Sequence, residues 1–260
     1  DGVTGAISVN MNNIIGFNIQ INLLRYNSGL SYHPPFSHKL SNIMISGFDG
    51  RLLRFDPGQH GMRGKVEISN IIITDGYISK NALISNQKDD NDNDNIMSFS
   101  FKNIIFHEIW TSTAFVQVYA SDLTVESMVS TKMSGNFYIE AENSTFTEYI
   151  CALNVATYDA GGCLYLNNSF TTIDNTSSFV QNTAPVGGAI TTRNVSGEIT
   201  PVYKNNVAIR YGNDISCEFN NLLLTLSQFG SKDLSKYYSY SLKGPNILTN
   251  EVTYTIERSS

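Results

Sequence analysis

The chain has 260 residues, of which 41% are hydrophobic and 15% charged, with a formal net charge of −6. That length accommodates one large all-β unit or two ordinary domains and is ample for a buried core. The low charge fraction excludes strong intrinsic disorder, the acidity excludes a phosphate-binding basic face and hence nucleic acid, and no apolar run approaches the ~18 residues of a membrane span.

The start at Asp1, with no Met, basic n-region or apolar h-region, leads us to expect a processed or partial chain. The 29 Asn dominate the composition. Asn tolerates the left-handed αL region better than other non-Gly residues, so its abundance predicts many sharp corners. Abundant Ile, Val, Phe, Tyr and Thr favour half-buried pleated surface. Ala is scarce and long 3.6-residue stripes are absent, so a nearly helix-free protein of many short strands is expected.

In chain order, residues 1–85 read as irregular early repeats. Tyr32-His33-Pro34-Pro35-Phe36 is a polyproline-like loop and Asp56 to Gly61 another. A cassette recurs here: an apolar residue, a polar one, Asn, then branched apolar residues. It occurs around Asn13, Asn42, Asn70 and Asn103, at steps of 29, 28 and 33, with a late relative at Asn220-Asn221. Such an Asn can turn the chain through αL, and its amide can stack on the Asn of the next layer. Residues 86–95 form a polar excursion with no capacity for burial. The second half carries a different cassette. Phe179-Val180-Gln181-Asn182-Thr183-Ala184 runs into Gly187-Gly188-Ala189-Ile190, and Asn205-Asn206-Val207-Ala208 runs into Gly212-Asn213-Asp214-Ile215. Earlier, Asn154-Val155-Ala156 leads to Gly161-Gly162-Cys163-Leu164. A Gly-Gly pair before an apolar run fits a corner without room for a Cβ. After Cys217 the pattern changes, through Leu222–Leu226 and Tyr237, Tyr238 and Tyr240 to Glu251–Ile256.

Repeats of this length with Asn/Gly corners predict an all-β solenoid, a parallel β-helix with irregular loops. It is expected over residues 1–219, with 220–260 as capping strands or the start of a further domain. About ten layers at ~4.8 Å would give a rod of roughly 50 Å. The rival is a β-sandwich. The handedness comes from a resemblance. Phe179-x-x-Asn182 with Gly187-Gly188-Ala189-Ile190 resembles the F-x-x-N and G-G-A-I repeat of chlamydial polymorphic outer-membrane proteins. Similar repeats occur in large secreted or surface proteins of ciliates and other protists, and residues 208–215 resemble the stretch that closes such arrays. The strong match covers roughly 137–219, with one intact G-G-A-I and a degenerate copy at 161–164. The resemblance implies a right-handed parallel β-helix, a secretory route and adhesive or structural surface roles. It lends no catalytic residues.

Among candidate sites, Asp89, Asp90, Asp92 and Asp94 alternate like calcium ligands, but the Gly turn and distal Glu of an EF-hand are missing. A solvated loop is the competing reading. Calcium at Asp90, Asp92 and Asp94 is the one candidate cofactor. Carboxylates for glycoside hydrolysis would come from Asp75, Asp159 and Asp214, which read better as corner residues beside glycines. His33, His38, His60 and His107 show no metal-ligand spacing. Trp110, the only tryptophan, is expected in the core or in a ladder, with a sugar-stacking platform as the alternative. The three cysteines leave two readings open: one bridge, Cys151 to Cys163, or small buried hydrophobes. Sequons at Asn143, Asn167, Asn175 and Asn194 all fall after residue 136 and would be glycosylation sites on exposed turns in a secreted protein.

These features predict a non-catalytic, extracellular structural or adhesive protein, a glycosylated matrix or filament subunit. Its solenoid ends would contact other copies or neighbouring domains, with carbohydrate as a further candidate partner. The alternative is a polysaccharide-active enzyme, lyase or hydrolase, on the same scaffold.

Overall fold

A computed structural model describes residues 7–27, 36–56, 63–78, 82–86, 96–157, 160–218, 221–225, 240–248 and 251–258. These residues are all-β, with no helix among them. In chain order the first fourteen strands are β1 (Ile7–Asn27), β2 (Phe36–Asp56), β3 (Arg63–Ile78), β4 (Ile84–Asn86), β5 (Ile96–Thr111), β6 (Val116–Thr131), β7 (Phe137–Ala152), β8 (Leu164–Ile173), β9 (Ser178–Val180), β10 (Thr183–Val186), β11 (Ile190–Ile199), β12 (Val202–Lys204), β13 (Val207–Tyr211) and β14 (Ile215–Glu218). The chain divides into two compact units, Asp1–Ser216 and Cys217–Ser260.

In the first unit β1, β2, β3, β5, β6, β7, β8 and β11 pair in that order, each parallel to the next. β9 pairs in parallel with β7 and β12, and β10 with β13. The second unit contains β15 (Asn221–Thr225), β16 (Tyr240–Leu248) and β17 (Glu251–Arg258), an antiparallel sheet in the order β15-β17-β16.

Register explains the core. Leu40, Ile68, Phe101, Val125 and Phe146 stand opposite one another strand by strand, as do Ile43, Ile71, Ile104, Met128 and Tyr149. All ten are at most 1% exposed. Aromatic rings thread the same interior: Phe137 meets Phe115 and Phe146, and Tyr149 meets Phe146 and Phe179, with centroids 5.6–6.3 Å apart. Such pairs contribute ~0.5–1.5 kcal/mol each beyond their area burial. The Tyr149 hydroxyl is not stranded, because Ser130 Oγ lies 2.9 Å away.

The expected short strands are in fact long. β3, β5, β6 and β7 each run 16 residues. They bend without breaking, because single αL residues turn the chain while ladder pairing resumes on either side. One column of such corners is Asn42, Asn70 and Asn103, at φ 54°, 54° and 55°, continued by Ser127 and Glu148 at 54° and 53°. The amides form the expected ladder: Asn70 Nδ2 donates to Asn42 Oδ1 at 3.1 Å, and Asn103 Nδ2 to Asn70 Oδ1 at 3.0 Å. A second column runs through Gly47, Asp75, Glu108, Lys132, Leu153, Gln181 and Asn205, all at φ between 52° and 65°.

That second column differs from expectation. In the later repeats the corner is the residue before the motif Asn, so Leu153 and Gln181 occupy αL at a cost of ~1–2 kcal/mol each. The Asn that follows points inward. Asn154 and Asn182 are fully buried and Asn206 nearly so. Asn182 Oδ1 accepts from the Asn154 backbone N–H at 3.0 Å, and Asn206 Oδ1 accepts from the Asn182 backbone N–H at 3.0 Å. Each amide thus closes backbone groups that the corner leaves open, which is the compensation that holds a non-Asn residue in αL.

The Gly-Gly pairs stack on one another. Gly162 N donates to Gly187 O, and Gly188 N to Gly212 O. A Cβ on Gly162 would lie 2.2 Å from Gly188 O, and one on Gly188 would lie 2.2 Å from Asn213 O. No side chain fits where these backbones approach.

Candidate functional site

The second corner column carries the richest exposed chemistry. Asp75 Oδ2 accepts from Ser46 Oγ and from Thr74 Oγ1, each at 3.0 Å, and these bonds hold its carboxyl below the ordinary carboxylate range. In the next strand Glu108 Oε1 accepts from Lys132 Nζ at 2.6 Å and lies 3.5 Å from His107 Nε2. His107 Nδ1 meets Thr131 Oγ1 at 2.6 Å. Two residues beyond the corner, Tyr77 and Trp110 stand in register on β3 and β5, 57% and 63% exposed. Gly76 and Ile109 between ring and corner are buried. Of the two placements expected for Trp110, core or ladder, this overturns the core: the corner at Glu108 fixes the in/out phase of β5 so that Ile109 takes the interior and Trp110 the surface.

On the other side of that corner column runs an aliphatic stripe, Met44, Ile72, Ile105, Val129 and Ile150, register by register. Its central members Ile72, Ile105 and Val129, with Asn70, Asn103 and Ser127, line an open groove of about 410 Å³. A third face carries Tyr119, Tyr138 and Tyr165, whose ring centroids step by 5.7 and 5.2 Å. Glu140 Oε2 there accepts from Asn167 Nδ2 at 2.9 Å, and burial beside neighbouring phenols and Glu140 raises the Tyr138 pKa.

The remaining candidates separate clearly. Asp89, Asp90, Asp92 and Asp94, with His33, His60, Asp159, Tyr237 and Tyr238, lie outside the described residues. Asp75 and Asp214 are not brought together. Six strand-to-strand steps separate β3 from β14, roughly 29 Å at sheet spacing, against the ~6.5–9.5 Å that an inverting carboxylate pair needs. Asp214 instead accepts from Asn206 Nδ2 at 3.0 Å. His38 is buried, and burial lowers its pKa. Cys151 and Cys163 form a disulfide with Cα atoms 6.2 Å apart, and Cys217 is free and exposed. The reading of three buried hydrophobes therefore does not describe them.

The four sequons differ in environment. Asn167 is 9% exposed, and its Nδ2 donates to Tyr138 Oη as well as Glu140. Its place on an exposed turn is thus corrected: it lies within strand β8 and is covered. Asn143 donates to Asp122, and Asn194, itself at φ 52°, donates to Asn168. Asn175 is exposed in the turn from Asp174 to Ser177, whose backbone closes through Ser177 N to Asp174 O. Two features escaped the sequence reading. Tyr77 is one, although its position seven residues after Asn70 matches that of Trp110 after Asn103. The tyrosine ladder is the other, because its steps of 19 and 27 residues are unequal.

Compared with protein-family models, curated proteins and solved structures, the chain matches none.

Proposed function

We propose that the first unit is a right-handed parallel β-helix serving as a non-catalytic structural or adhesive subunit outside the cell. One observation carries the reading: equivalent residues recur opposite one another through successive parallel strands, with αL corners aligned in columns. A sandwich would pair neighbouring strands antiparallel, and each registered pair of this unit is parallel. The F-x-x-N and G-G-A-I likeness supports the handedness and the secretory route. Asn175, exposed and with no side-chain hydrogen bond among the described residues, is the favoured glycan acceptor among the four sequons.

The mechanism is geometric. A ladder of backbone bonds stiffens the column, and its loops are displayed outward. Among the described residues β12 and β13 each pair on one side only. Their exposed Val202, Val207 and Ile209 make that edge suited to strand addition by another copy or domain. Heterologous contacts of this kind propagate into filaments. Negative-stain electron microscopy with light scattering tests the proposal. Rods lengthening with concentration are expected. A compact particle that stays monomeric at every concentration would refute the assembly.

A further inference from the structure

We propose that Tyr77 and Trp110, with the corner carboxylates Asp75 and Glu108, form a binding platform for a neutral β-linked pyranose chain. The inference deepens the adhesive half of the proposed function and does not depend on end-to-end assembly.

The rings come first. Both are more than half exposed, on adjacent parallel strands in register, and neither has a hydrogen bond or ring contact among the described residues. Aromatic side chains presented together in this way mark contact surfaces. A pyranose with equatorial substituents offers a flat C–H face to such rings. The strand step of ~4.8 Å is about the length of one sugar ring, so a chain lying along the stacking direction meets one aromatic per residue.

The polar groups then select the ligand. Ser46 and Thr74 occupy Oδ2 of Asp75, which the Glu108 carboxyl group also approaches, while Lys132 and His107 address Oε1 of Glu108. A carboxylate has about four acceptor sites, so each keeps capacity for ligand hydroxyls beside a ring. The bonds already made fix the two side chains in place. Charge disfavours an anionic ligand. A uronate chain would meet Asp75 and Glu108, whereas Lys132 is already paired with Glu108. A hydroxyl-rich neutral ring meets no such repulsion. The indole N–H and phenol O–H add donors for sugar oxygens.

Trp110 is the only tryptophan, so its emission reports on this platform alone. The full chain is titrated with cellohexaose and with N-acetylchitohexaose, which share the chemistry and differ in the 2-substituent. Hexagalacturonate and hexalysine provide the charged arms. A saturable blue shift is expected with at least one neutral hexasaccharide below about 1 mM. Tyr77→Ala and Asp75→Asn are expected to weaken it tenfold or more, while Tyr77→Phe, which keeps the ring, retains it. No saturable change with either neutral sugar overturns the proposal. So does an equal or stronger response to a charged arm, or unchanged affinity in folded Tyr77→Ala. Rods that form without binding sugar sink this inference alone; sugar binding by a strict monomer sinks the assembly alone.

Discussion

Replacing Asn182 by Ala tests the claim that inward amides hold the later corners. The side chain is fully buried. Its Nδ2 donates to Cys151 O at 3.0 Å and Asn206 Oδ1 at 2.9 Å, and its Oδ1 accepts from the Asn154 backbone N–H. Truncation strands a buried N–H and a buried C=O at ~1–3 kcal/mol each, and the cavity adds to that. A loss of about 3–5 kcal/mol is expected. At ~2–4 °C per kcal/mol for a chain of this size, Tm falls by roughly 6–20 °C. Asn103→Gly is the matched control. It removes an exposed ladder bond while keeping the αL corner relaxed, so its cost is expected near or below about 1 kcal/mol. Thermal melts followed by far-ultraviolet circular dichroism compare the two. If Asn182→Ala melts within a degree or two of Asn103→Gly, burial is not what gives the inner ladder its weight.

Three further outcomes follow from particular contacts. Reducing the Cys151–Cys163 bridge, which spans 12 residues, removes about 3 kcal/mol of chain-entropy stabilisation and lowers Tm; a melt insensitive to reductant would contradict this. His38 has a folded pKa below its ordinary value, so the unfolded chain protonates first as pH drops. Stability is therefore full above about pH 6.5 and declines below it, down to the lower folded pKa. His38→Gln is expected to flatten that part of a Tm–pH curve, and an unchanged slope would reject His38 as its source. Gly188→Ala drives a Cβ to 2.2 Å from Asn213 O and is expected to be the most damaging substitution of the set, read as lost protease resistance around residues 187–216.

The repeat spacing, the αL role of Asn42, Asn70 and Asn103 and their stacking, and the tight glycine pairs were all legible in the residues, because each depends on local backbone preference. In/out phase was not. Side chains alternate with period two along a strand, and every αL corner resets that count. Where the corner is an Asn the reset can be seen. Where it is Glu108, Lys132, Leu153 or Gln181 nothing in the residue type announces it. For that reason only the tertiary structure decides that Trp110 faces solvent, that Asn154 and Asn182 turn inward, and that Asn167 is covered while Asn175 is open. The joining of Cys151, on β7, to Cys163, just before β8, belongs to the same class, since it depends on where the folded chain brings the two side chains together.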